Sequence, residues 1–198
     1  MMYLKPLALA LCFIGCQYAP AKGGGVATEN RDIFKTLNRT RVYFLVRRTY
    51  QRPGGRSECA YRRILQTNAD HSILMMMGER DKKGAYNKDK VYVTTRLGRN
   101  DERNHMRVSY TGYKDRGVEY KMIYDDADGC SIFKVITDER EGPRLEAGEC
   151  EMWAAKKVAI KIRSISACEV AYSTLCKPDT KKEDTPYLST CTDPPARL

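Results

Sequence analysis

The 198-residue chain has little of what enzymes most often use. Two histidines, His71 and His105, leave scant material for imidazole catalysis, and there is one tryptophan. No Ser-His-Asp order, no H-E-x-x-H pair and no phosphate-cradling glycine loop occurs, so no enzyme is expected. There is no C-x-x-C pair, and both histidines lie far from the cysteine cluster; no zinc site is expected. No apolar run reaches the ~20 residues that cross a bilayer. Basic residues outnumber acidic ones, 35 to 25, for a net charge of +10 that favours anions at long range. These charges are scattered in short runs such as Arg47-Arg48, which does not describe a nucleic-acid surface. No cofactor, metal, nucleic acid or membrane is therefore expected as a partner.

What is present begins at the N-terminus. Residues 1–21 read as a secretory signal: Lys5 supplies a weak positive start, Leu7 to Ile14 a short apolar stretch, and Ala19-Pro20-Ala21 the small cleavage residues. Residues 22–198 then form one domain, with the net charge lowered to +9 by the loss of Lys5. Cys12 and Cys16 leave with the signal. Cys59, Cys130, Cys150, Cys168, Cys176 and Cys191 remain, and an even number in an exported chain argues for three disulfides. The sequence itself leaves all ~15 connectivities open. Asn38-Arg39-Thr40 is a glycosylation sequon, usable once the chain is exported.

Asn30 is placed to cap a short helix carrying Ile33, Phe34 and Leu37 at helical spacing. From Arg41 the texture becomes short β-branched and aromatic runs parted by turn residues. Eight strands are expected, at Val42–Tyr50, Glu58–Gln66, His71–Gly78, Lys90–Arg96, His105–Thr111, Gly117–Tyr124, Cys130–Thr137 and Cys150–Ala155. Their hairpin-length links suggest an up-and-down barrel, a closure that removes exposed edges. Ser164 or Ser166 can cap a later helix through Cys168, Val170, Ala171, Leu175 and Cys176. Its two cysteines lie near one face, so two disulfides could pin it to the barrel wall.

An eight-stranded barrel has room for side chains or one small ligand. Strand parity proposes the inward set. Taking Tyr50 as inward brings Val42, Phe44, Val46 and Arg48 to the same face. Met106, Val108 and Tyr110 share an apolar face, and Trp153 shares one with Glu151. Aromatic walls with a few polar groups suit a small-ligand pocket.

In this order the pieces resemble the tick salivary lipocalins, the family that includes the histamine-binding proteins. The resemblance is carried by the helix Asp32–Leu37, the strand Val42–Tyr50 and Cys59 at the head of the next strand. It continues through Asp128-Gly129-Cys130-Ser131-Ile132-Phe133, Cys150-Glu151-Met152-Trp153, the Cys168-to-Cys176 helix and Cys191. It implies an all-β lipocalin barrel with a short N-terminal and a C-terminal helix. It also implies secretion in saliva, sequestration of a host inflammatory mediator, and the pairs Cys59–Cys191, Cys130–Cys168 and Cys150–Cys176. A monomer is expected.

Histamine binders of that family use carboxylates and aromatic rings, since a cationic amine needs both. Tyr50 and Glu151 match that set, Trp153 lies beside them, and Asp89 is a third candidate. Other positions depart from it. Ser131 stands where histamine binders carry an acid, Val108 where an aromatic is expected, and the loop Gln51–Arg56 is cationic without an aromatic ring. A biogenic amine, histamine or serotonin, is the first ligand expected. The alternative is a lipid acid such as a leukotriene or fatty acid, met by Arg48 and a wall of Met75 to Met77 and Met106. A third reading is a surface-acting inhibitor of a host defence protein.

Overall fold

A computed structural model describes residues 32–52, 57–81, 83–98, 101–110, 116–126, 128–162 and 166–194. The signal segment, Asn30, residues 53–56 of the first loop and Ser164 lie outside the described residues. Eight antiparallel strands close into a barrel in chain order: β1 (Val42–Arg48), β2 (Glu58–Thr67), β3 (Ser72–Arg80), β4 (Tyr86–Arg96), β5 (His105–Tyr110), β6 (Val118–Asp125), β7 (Cys130–Asp138) and β8 (Cys150–Ala155). β1 pairs with β8, which completes the ring and leaves neither with a bare edge. All eight expected strands form.

Alternation along the strands feeds two apolar cores. Inside the barrel lie Tyr43, Leu45, Met75, Val93, Phe133 and Trp153. On the outer wall lie Phe44, Met76, Ile132 and Met152, covered by Tyr172 and Tyr187. β1 and β8 are therefore apolar on both faces, whereas β4 keeps Lys90 and Thr94 exposed on either side of buried Val91 and Val93. That difference sets where the helix lies.

The covering helix is α3 (Ala167–Cys176), counted after α1 (Ile33–Asn38) and the short α2 (Lys156–Ala159) that follows β8. Ser166 caps α3, its Oγ accepting from the Glu169 N–H at 3.2 Å. Cys130–Cys168 and Cys150–Cys176 tie α3 to the first residues of β7 and β8, with Cα separations of 6.4 and 5.9 Å. The tail is tied to β2 by Cys59–Cys191, at 5.4 Å. Cys130 is presented by a tight turn in which Asp126 Oδ1 accepts from the Gly129 and Cys130 N–H groups, both at 2.8 Å. Gly129 takes φ +103°, a backbone angle that favours glycine there.

α1 closes one end of the barrel, with Ile33 and Leu37 fully buried in the inner core. Its cap is Asp32 rather than Asn30: the Asp32 side chain accepts from the Lys35 N–H at 3.1 Å. Tyr43 donates to the Thr36 carbonyl at 2.5 Å, locking helix to strand. Asn38 is exposed at the end of this helix.

The parity expected for β1 is corrected. Tyr43 and Leu45 face inward, whereas Phe44 and Val46 face the outer core. The strand ends at Arg48, and its pairing with β8 slips at a bulge between Leu45 and Arg47. Counting back from Tyr50 by twos crosses both irregularities and lands on the wrong face.

Candidate functional site

The end of the barrel opposite α1 opens into a cavity of about 740 Å³. That volume falls within the usual range for small-ligand sites. Its walls are the mouth ends of the strands, where Leu45, Ala60, Met77, Val108 and Val118 supply the apolar surface. Its rim is built by the loop between β7 and β8, which contributes Arg140, Arg144, Leu145, Glu146 and Glu149. Gly78 also lines the cavity, and a Cβ there would strike the Asn87 carbonyl of β4. Neither histidine lines it.

Glu151 is the group around which the cavity is organised. It is the second residue of β8, and alternation turns it inward two places before Trp153. Glu151 and Trp153 are 7% and 3% exposed. Three neutral donors converge on the carboxylate. Tyr50 and Tyr120 donate their hydroxyls to Oε1, the latter at 3.2 Å, and Trp153 Nε1 donates to Oε2 at 2.8 Å. Among the described residues no lysine or arginine forms an ion pair with it.

Burial, reinforced by the Glu151 carboxylate, pushes the Tyr50 and Tyr120 phenols well above their ordinary value. Both therefore stay neutral and donate. A carboxylate offers about four acceptor sites, so three bonds leave room for one more donor. The arrangement is a fixed anion walled by aromatic rings, which suits a cation.

Five of the six candidate ligand residues line this cavity: Tyr50, Asp89, Val108, Glu151 and Trp153. Asp89 stands exposed at the rim, across from Met77 in the β3–β4 pairing. Arg48 does not line it. Its guanidinium is fully buried on the tail side, with Nε donating to Asp184 Oδ2 at 3.0 Å and Nη2 to Ser57 Oγ at 3.0 Å. It reaches the site only indirectly, lying 5.1 Å from the centre of the Tyr50 ring. The expected methionine wall reduces to Met77, since Met75 and Met106 belong to the packed inner core and Met76 to the outer one.

Sequence reasoning missed two residues. Tyr120 was legible as inward, because Val118, Tyr120 and Met122 alternate on β6, but nothing local ties it to Glu151. Arg62 was hidden in the pair Arg62-Arg63, yet it is an interior residue, 2% exposed. Ser131, fully buried, accepts from Arg62 Nη2 at 3.3 Å.

A closed eight-stranded barrel with one mouth and a carboxylate-centred cavity defines a small-ligand carrier of the lipocalin type. The family model described as "Tick histamine binding protein" matches residues 26–193, and the chain belongs to that family. Among solved structures it is similar to Japanin from Rhipicephalus appendiculatus bound to cholesterol, with TM-score 0.51 and 15% identity over 77% of this chain and 95% of that one. Lobster apocrustacyanin A1 aligns with TM-score 0.49 and 11% identity over 79% and 82% of the two chains. H1 crustacyanin from the lobster Homarus americanus aligns with TM-score 0.48 and 12% identity over the same shares. No curated protein matches the chain.

Proposed function

We propose that the protein is a secreted salivary carrier, released after loss of residues 1–21, that sequesters a small host mediator bearing an amine. Histamine and serotonin are the ligands of first choice, and the effect is to dampen host inflammatory defence. The observation that carries this reading is the Glu151 carboxylate, buried with no ion pair among the described residues and ringed by Tyr50, Tyr120 and Trp153. A carboxylate held only by neutral donors leaves the ionic partner to an incoming ammonium, and the rings add cation–π attraction. Asp89 and the acidic residues of the rim offer a second set of anions on the way in. The lipid-acid reading loses its main support, because Arg48 is consumed by Asp184.

Replacing Glu151 by Gln keeps size and most hydrogen bonding while removing the charge. A charge-assisted hydrogen bond contributes about 1.5–3 kcal/mol, so histamine affinity by titration calorimetry should fall at least about tenfold. A fatty acid or leukotriene should bind Glu151→Gln as well as or better than the parent. Unchanged amine affinity in the variant, or no amine binding by the parent, would overturn the reading.

A further inference from the structure

Arg62 is a buried cation inside the barrel that belongs to neither the mouth nor any ion pair found among the described residues. It projects from β2 between Tyr43 of β1 and Met77 of β3 in the strand pairings. Its guanidinium carbon lies 4.5 Å from the Tyr43 ring centre, 4.9 Å from Phe133 and 4.8 Å from Trp153. Its hydrogen bond goes to Ser131 Oγ, and its buried Nε has no partner. Burial pulls it down to about 10 from the ordinary arginine value. An arginine so far from water needs a reason, since apolar residues of similar volume fill a barrel at less cost.

The rings that hold Arg62 are informative. Trp153 lines the cavity, whereas Tyr43 and Phe133 do not. The guanidinium thus sits at the boundary between the open upper barrel and the packed lower one. Beneath it, Ile33 and Leu37 of α1 close the end. We infer that Arg62 is the floor of the pocket and its specificity-determining residue: it restricts the ligand to a compact, ring-sized amine and excludes chain-like ones. This rests on the amine-capturing pocket proposed above. Two physical effects act together. The side chain packs against Trp153 and against the Tyr43 and Phe133 rings of the inner core, where an alkyl chain passing below Trp153 would meet it. Its charge also repels any second cationic group from the lower barrel, so a diamine cannot thread past Glu151.

The test uses n-alkylamines from butylamine to dodecylamine, and fatty acids of the same lengths, titrated against the refolded mature protein. Arg62→Ala empties the floor, Arg62→Val empties it partly with less risk to folding, and Arg62→Met keeps it filled without the charge. Near-ultraviolet circular dichroism checks that each variant retains its packing. Affinity in the parent should stop rising at a short chain. In Arg62→Ala or Arg62→Val it should keep rising, by about fourfold for each further methylene accepted, while Arg62→Met keeps the parent's limit. If the parent takes acids and not amines, the amine reading fails, yet the longer limit in the emptied variants still upholds Arg62 as the floor. If neither emptied variant accepts a longer chain in either series, Arg62 is not the floor, whatever the parent binds.

Discussion

At the scale of single residues the site is a problem of proton bookkeeping. Tyr50, Tyr120 and Tyr43 are all pushed above the ordinary tyrosine value, in each case first by burial. The folded chain therefore holds these protons more tightly than the unfolded chain does. Their contribution is complete below about pH 10, the unfolded value, and is lost as pH rises from there toward the folded values. Arg62, pulled down to about 10, acts in the opposite sense over the same window. Tyr61, Tyr124 and Tyr172 are raised as well, so six tyrosines against one arginine leave the net slope negative. Urea unfolding at pH 8 and above pH 10 should show stability falling by about 1.4 kcal/mol per pH unit for each tyrosine, less the arginine's offset. A stability that stays level across that window would mean the phenols ionise in the folded state. The residues at work here were partly readable: Glu151 and Trp153 share a strand and Tyr50 lies two places beyond the end of another. Tyr120 was not, because its link to Glu151 spans 31 residues and depends on the closed barrel.

At the scale of elements, local pattern was legible and its interruptions were not. Short β-branched and aromatic runs between turn residues mark all eight strands, and the Ser166 cap marks α3. The bulge in β1 and the strand's end at Arg48 left no such mark, and together they reversed the reading of Phe44 and Val46. Nor did anything local announce α2, a single turn that starts at Ala155 without a capping side chain. The pairing of Arg48 with Asp184 joins residues 136 apart, a distance over which charge pattern carries no information. Cysteines fared better, because the pairs implied by the resemblance are the ones formed. Cys150 and Cys176 are 26 residues apart, so in the chain-entropy view their bond contributes about 3 kcal/mol by restricting the unfolded state. Replacing both by Ala should lower unfolding stability by roughly that amount. Glu151 lies next to Cys150, so the variant should also loosen amine binding severalfold. Full stability after the replacement would show that α3 is held by the Cys130–Cys168 bond and its apolar packing without the second bond.

At the scale of the whole molecule, charge and pocket oppose each other. The chain carries a net +10, and still +9 without the signal. An amine approaching such a protein is repelled until it comes within reach of the local carboxylates. Around the mouth the signs are mixed: Arg52 pairs with Glu79 at 3.1 Å, Arg116 pairs with Glu141, and Asp138 holds Arg140 at 2.6 Å. The rim is thus close to neutral, and the long-range field is set by the remainder of the surface. That field has a reach of roughly 30 Å at 0.01 M salt and about 8 Å at 0.15 M. Raising salt between these limits should therefore speed histamine association about twofold while leaving its dissociation nearly unchanged, because Glu151 is buried and poorly screened. A lipid acid should show the reverse, associating more slowly as salt rises. Stopped-flow quenching of Trp153, the chain's single tryptophan and itself part of the wall, reads both rates without a label. If histamine association slows with salt, the rim carboxylates rather than the net charge steer the ligand, and Asp89→Asn should then abolish that dependence.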